Sequence, residues 1–123
     1  MAGKKILVVD DSPTDRHHLS EMLAKKGYQV ITAENAEDAI SKAKSGRPDL
    51  ILMDVVMPGV NGFQATRALT SDEATKHIPV VLCTSKNQET DKVWGKRQGA
   101  KDYLTKPVDE ATLLKTLNAV LAG

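Results

Sequence analysis

A chain of 123 residues with 41% hydrophobic and 27% charged residues has the size and balance of one globular domain, 1–123, with too little length for a second. Its formal net charge of +1 provides no field for nucleic acid or an anionic membrane, and its one cysteine, Cys83, excludes an intrachain disulfide and fits a reducing compartment. The opening "MAGKKILVVDD" holds an apolar run too short for a signal peptide or a membrane span, so the expected location is cytoplasmic.

The first element is the aliphatic run "ILVVD" at 6–10, read as a strand. A helix follows, with Ser12 placed to cap it, Pro13 at its first position and Asp15 three residues after the cap. Leu19, Met22 and Leu23 form its inner face, and Gly27 lies past its end. "YQVIT" at 28–32 is the second strand. The second helix spans about 36–45, with Ala36, Ala39, Ile40 and Ala43 inward and Gly46 as its stop. "DLILMD" at 49–54 is a third strand, and a helix from about Gly62 turns Phe63, Thr66 and Leu69 inward. "PVVLCT" at 79–84 is the fourth strand, and "ETDKVWGKRQ" at 89–98 is a fourth helix that stops before Gly99. "DYLT" at 102–105 is the last strand. "DEATLLKTLNAVLAG" is the last helix, burying Leu113, Leu114, Leu117, Val120 and Leu121.

Serial β–α units predict a parallel sheet with helices on both faces, the doubly wound α/β class. In such sheets ligands lie beyond the carboxyl ends of the strands. Those ends carry Asp10-Asp11, Asp54, Thr84-Ser85 and Lys106-Pro107. Asp54 stands where an aliphatic run would continue, and an isolated buried carboxylate costs several kcal/mol or more, so a partner is required. Three close carboxylates repel one another and call for a cation. An all-oxygen site with few protein ligands and room for water suits Mg²⁺. A lone aspartate after a strand often just caps the next helix or turn, but three acids, a hydroxyl and an ammonium delivered by separate segments describe a site.

"LVVDDS", "LILMDVVMPGVNG", "LCTS" and "DYLTKP", in this order and spacing, resemble the receiver domain of two-component response regulators, the CheY-like family. The likeness covers the whole chain. It implies a flavodoxin-like (βα)5 fold with strand order 2-1-3-4-5, as known for flavodoxin and the chemotaxis receiver. By resemblance, Asp54 is the phosphoacceptor, and Asp10 and Asp11 are Mg²⁺-binding acids alongside Asp54 and the backbone carbonyl of Val56. Thr84 is the switch hydroxyl, Lys106 the lysine that contacts the phosphoryl group, Tyr103 the aromatic switch and Pro107 a proline commonly reached through a cis bond. The chemistry suits these residues, since a carboxylate can attack phosphorus and phosphoryl transfer is chiefly positioning and charge neutralisation. Such a domain catalyses only its own phosphorylation and dephosphorylation, and is no enzyme towards a separate substrate. The donor is a phosphohistidine on a kinase or a small acyl phosphate.

Signalling is expected through the surface of the fourth helix, fifth strand and fifth helix, with Trp94, Lys96 and Tyr103 on it. Trp94 among Lys92, Lys96, Arg97 and Lys101 suits a partner contact, although a solvated basic face is the plainer reading. Val56 and Lys86 occupy positions that tune dephosphorylation in the family, and Val56 has no polar group to orient a water, which predicts slow phosphoryl loss. His17 and His18 are adjacent on a helix, cannot chelate from one face, and read as surface residues.

"GFQATRALT" and "IPVVLCTSKNQETDKVWGKRQGAKDYLTKPVDEATLLKTLNAVLAG" resemble the single-domain receivers of type IV pilus, or twitching, systems. That implies a histidine kinase of the Pil–Chp, chemotaxis-like type and a downstream protein such as a pilus motor. With no effector domain expected after the last helix, output comes by docking or the domain acts as a phosphate sink. A non-phosphorylated pseudo-receiver binding module is the further alternative. A flavodoxin-type carrier fits poorly, since Asp10-Asp11 would repel a phosphate and 3% aromatics leave little to stack on a flavin. A metal-dependent phosphatase fits poorly too, because its nucleophile ends the first strand with an acid two residues later, a spacing that "DDSP" lacks.

Overall fold

The computed structural model describes residues 4–57, 59–84, 93 and 96–122. Five parallel strands, β1 (Lys5–Val9), β2 (Gln29–Ala33), β3 (Leu50–Asp54), β4 (Val80–Thr84) and β5 (Asp102–Thr105), form one sheet in the order β2-β1-β3-β4-β5. The chain runs outward from β1 to β2, then returns past β1 to β3. The order therefore reverses between β1 and β3, which opens a crevice at their carboxyl ends.

The described helices are α1 (Pro13–Lys25), α2 (Ala36–Gly46), α3 (Gly62–Ser71) and the C-terminal α4 (Glu110–Ala122). Side chains alternate across the sheet with period two. Leu7, Val9, Ile51, Met53, Val80 and Leu82 pack with Ala39 and Ala43 of α2 and Phe63 and Leu69 of α3. Ile6, Val8, Leu50, Leu52, Val81 and Cys83 pack on the other face with Leu19 and Leu23 of α1 and Leu113 and Leu117 of α4. Burial on both faces explains why β1, β3 and β4 read as unbroken aliphatic runs. Each such side chain contributes roughly 1.5–3 kcal/mol relative to exposure.

Local chemistry sets the helix ends. Ser12 Oγ accepts the Asp15 N–H at the start of α1, as its sequence predicts. Asn61 caps α3 in a reciprocal capping box with Gln64, a device the sequence reading above did not identify. α2 ends at Gly46, the expected stop, and the left-handed conformation falls on Arg47 (φ 47°). A Cβ at Gly46 would lie 2.8 Å from Ile31 Cδ1 of β2, the far end of a side chain that can turn aside. In α4, Leu113 and Leu117 are buried as predicted, whereas Leu114, Val120 and Leu121 are only partly covered. This helix packs against β5, the last strand in the sheet order, and these three side chains keep part of their surface in solvent. Most of the predicted fourth helix, with Trp94, lies outside the described residues, although Val93, Lys96 and Arg97 have helical backbone. Among the described residues no helix is long and apolar enough to cross a membrane.

Candidate functional site

The mouth of the sheet brings together residues that the sequence holds far apart. Asp10 follows β1 directly. Its backbone N–H donates to the Ala33 carbonyl (3.1 Å), which carries the β1–β2 ladder one step past the strand and fixes the carboxylate. The side chain is 1% exposed, with Oδ1 accepting the Ser12 N–H at 2.9 Å and Oδ2 accepting from Lys106 Nζ at 2.6 Å. Arg16 Nη1 donates to the Asp10 carbonyl at 2.8 Å, clamping the turn into α1.

Asp54 ends β3 opposite Cys83 of β4 and is 5% exposed. Asp11, by contrast, is exposed. Carboxylate oxygens of Asp10, Asp11 and Asp54 all lie within 4.8 Å of one another. Lys106 follows β5 and joins Pro107 through a cis peptide bond. Besides Asp10, its ammonium pairs with Asp54 Oδ1 at 3.3 Å and Asp15 Oδ2 at 3.1 Å. Asp15 is the residue sequence reasoning assigned only to helix capping. No local spacing could reveal it, because its partner lies 91 positions away.

Burial, then the like charge of Asp10, pushes the Asp54 carboxyl up from 3.8 to about 6, against the pull of Lys106. For Lys106, burial works against the charge, but the hydrogen bond from its ammonium to Asp10 and the charge of Asp54, with Asp15 adding to them, raise its pKa above the ordinary value. The site thus holds a firmly protonated cation beside a carboxylate that ionises near neutrality. Burial pushes the Cys83 thiol up to about 12, so thiolate chemistry is closed to it despite its place beside Asp54. An all-oxygen cluster with one exposed member fits a hard divalent cation, which takes carboxylates at about 2.0–2.1 Å and retains water.

The other predicted positions fall around this mouth. Val56 is 53% exposed just beyond Asp54. Thr84 closes β4 in register with Thr105, while its side chain, Ser85 and Lys86 lie outside the described residues. Tyr103 is buried on the α2–α3 side of the sheet. Lys96 is exposed, as are His17 and His18, with His17 paired to Glu21 at 3.0 Å.

A profile for the response regulator receiver domain matches residues 6–118. The chain is 66% identical to Protein PilH of Pseudomonas aeruginosa, over 97% of this chain and 98% of that protein. Transcriptional regulators at 36–40% identity are matched over only about half of their own length. Among solved structures, the chemotaxis protein CheY4 of Vibrio cholerae superposes with a TM-score of 0.91 at 39% identity, covering 97% of this chain and 99% of that one. The receiver domain of the sensor histidine kinase PA1611 of P. aeruginosa, with a magnesium ion coordinated in its active site cleft, superposes at 0.90 with 31% identity, covering 99% and 100%.

Proposed function

The chain belongs to the response regulator receiver domain family, and on that premise we propose that it is a single-domain response regulator that takes a phosphoryl group from a histidine kinase onto Asp54. The observation that carries this reading is the convergence of Asp10, Asp11 and Asp54 with Lys106 at one crevice, where the strand order reverses.

In this mechanism an Asp54 oxygen attacks the phosphorus of the donor, the O–P bond forms, and the P–N bond to the kinase histidine breaks. Asp54 must be ionised to attack, and a value near 6 leaves most of it charged at neutral pH. Asp10, Asp11 and Asp54, with the Val56 carbonyl, would hold Mg²⁺. When bound, that ion supplies Lewis-acid neutralisation of phosphoryl charge. Lys106, 3.3 Å from Asp54 Oδ1, is close enough to donate to an oxygen of a phosphoryl group placed there. The Thr84 hydroxyl, at the end of the neighbouring strand, would donate to an oxygen of the same group as its second contact, and Tyr103 would repack in response. Val56 brings only a hydrocarbon to the mouth, so no side chain at that position orients a water for hydrolysis.

The likeness to PilH supports a role in type IV pilus control, with a Pil–Chp-type kinase upstream and a pilus-linked protein downstream. The buried, unpaired Cys83 supports a reducing, cytoplasmic setting. The test is intact-protein mass spectrometry after incubation with Mg²⁺ and acetyl phosphate, repeated with phosphorylated kinase. One added phosphoryl group that requires both Mg²⁺ and Asp54 is the expected result. No gain from either donor would leave only a binding module with a receiver fold.

A further inference from the structure

Lys106 is shared by three carboxylates that differ sharply in access to water. Asp10 and Asp54 are buried, whereas the Asp15 side chain is 47% exposed. An ammonium has three N–H donors. Two are committed in hydrogen bonds to Asp10 (2.6 Å) and Asp15 (3.1 Å), and Asp54 Oδ1 stands at 3.3 Å. The third donor is open to a phosphoryl oxygen on Asp54, but drawing the ammonium onto that group loosens its hold on Asp10 or on Asp15. Releasing Asp10 would strand a buried charge, at a cost of several kcal/mol. Releasing Asp15 costs little, because water takes over at an exposed carboxylate.

Asp15 is also held firmly enough to compete. It occupies the third position of α1, where Ser12 Oγ accepts its backbone N–H at 3.3 Å, so its carboxylate is presented from a fixed helix end. Resting on the function proposed above, we propose that Asp15 is a positioning residue: it draws the Lys106 ammonium away from Asp54 in the unphosphorylated protein and surrenders it when a phosphoryl group arrives. Its charge has two opposite consequences. It favours a cation at the Asp10–Asp11–Asp54 cluster, both directly and by taking a share of Lys106 that would otherwise go to Asp54. It disfavours an incoming phosphoryl anion, both directly and by occupying the lysine that would greet it.

The experiment compares wild type, Asp15→Asn and Asp15→Glu by Mg²⁺ titration calorimetry and by the rate of phosphoryl gain from acetyl phosphate at saturating Mg²⁺. Asp38→Asn serves as the matched control. Asp38 holds the same third position in α2, with its N–H received by Asn35, but its ion pair is with Lys42 on that helix. Asp15→Asn is expected to weaken Mg²⁺ binding about 2- to 5-fold while accelerating phosphorylation by a similar factor, as loss of a partly exposed ion pair allows. Asp15→Glu, which keeps the charge, is expected to restore both, and Asp38→Asn to move neither. A merely structural role would lower both properties together, and that result, or no change in either, would overturn the proposal. Wild-type protein that neither binds Mg²⁺ nor gains a phosphoryl group would instead overturn the receiver reading and this inference with it.

Discussion

A Cβ added to Gly62 would lie 2.2 Å from the backbone carbonyl oxygen of Asp54, and 2.7 Å from Val55 Cα. The first residue of α3 is thus packed directly on the end of β3, and the Gly62 N–H donates to the Val55 carbonyl at 2.9 Å to hold it there. Backbone cannot give way as a flexible side chain can. Gly62→Ala is expected to cost about 2 kcal/mol or more of folding stability and to displace Asp54 from Asp10 and Lys106. Chemical denaturation measures the first effect and Mg²⁺ affinity of the folded fraction the second. Wild-type stability in this variant would contradict the close approach.

Asp54 makes the metal-free protein sensitive to pH. With its folded value near 6 against an ordinary 3.8, the folded state keeps a proton that the unfolded state has already released. Stability therefore falls as pH rises from about 4 to about 6 and stays lower above it, by about 3 kcal/mol for this group. Asp54→Asn should flatten that slope and stabilise the protein at pH 7.5, while matching wild type near pH 4. Urea melts at these two pH values without Mg²⁺ are the check, and an unchanged pH slope in Asp54→Asn would count against it.

Lys106→Ala should separate two properties of the site. Removing the ammonium leaves Asp10 and Asp54 without their partner, so Mg²⁺ should bind more tightly. The same change removes a donor to the phosphoryl group and should slow phosphorylation by roughly 10²-fold. Calorimetry and rates of mass gain distinguish these effects, and weaker Mg²⁺ binding would refute the assignment of Lys106 as the competing cation.

Val56→Asn should shorten the lifetime of the phosphorylated form several-fold. The position is open at the mouth, so an amide there can reach water without repacking the core. The decay of the phosphorylated mass after donor removal reports the lifetime, and an unchanged or slower decay would dispose of the idea that Val56 sets it.

Much of this protein is written in short-range pattern. Aliphatic runs marked the strands, and Ser12-Pro13 marked the start of α1. The acids and lysine at the strand ends identified Asp10, Asp11, Asp54 and Lys106 as one constellation, because a parallel sheet must bring strand ends to one edge. These features rest on interactions within a few residues, or on a topology with few alternatives. Other features depend on which surfaces meet. Asp15 reads as a capping acid, and its hold on Lys106 exists only because the start of α1 and the loop after β5 come to the same crevice. A sequence records that Lys106 is a cation near acids. How that cation is divided among Asp10, Asp54 and Asp15 is set by distances and access to water, which arise only when the chain is packed.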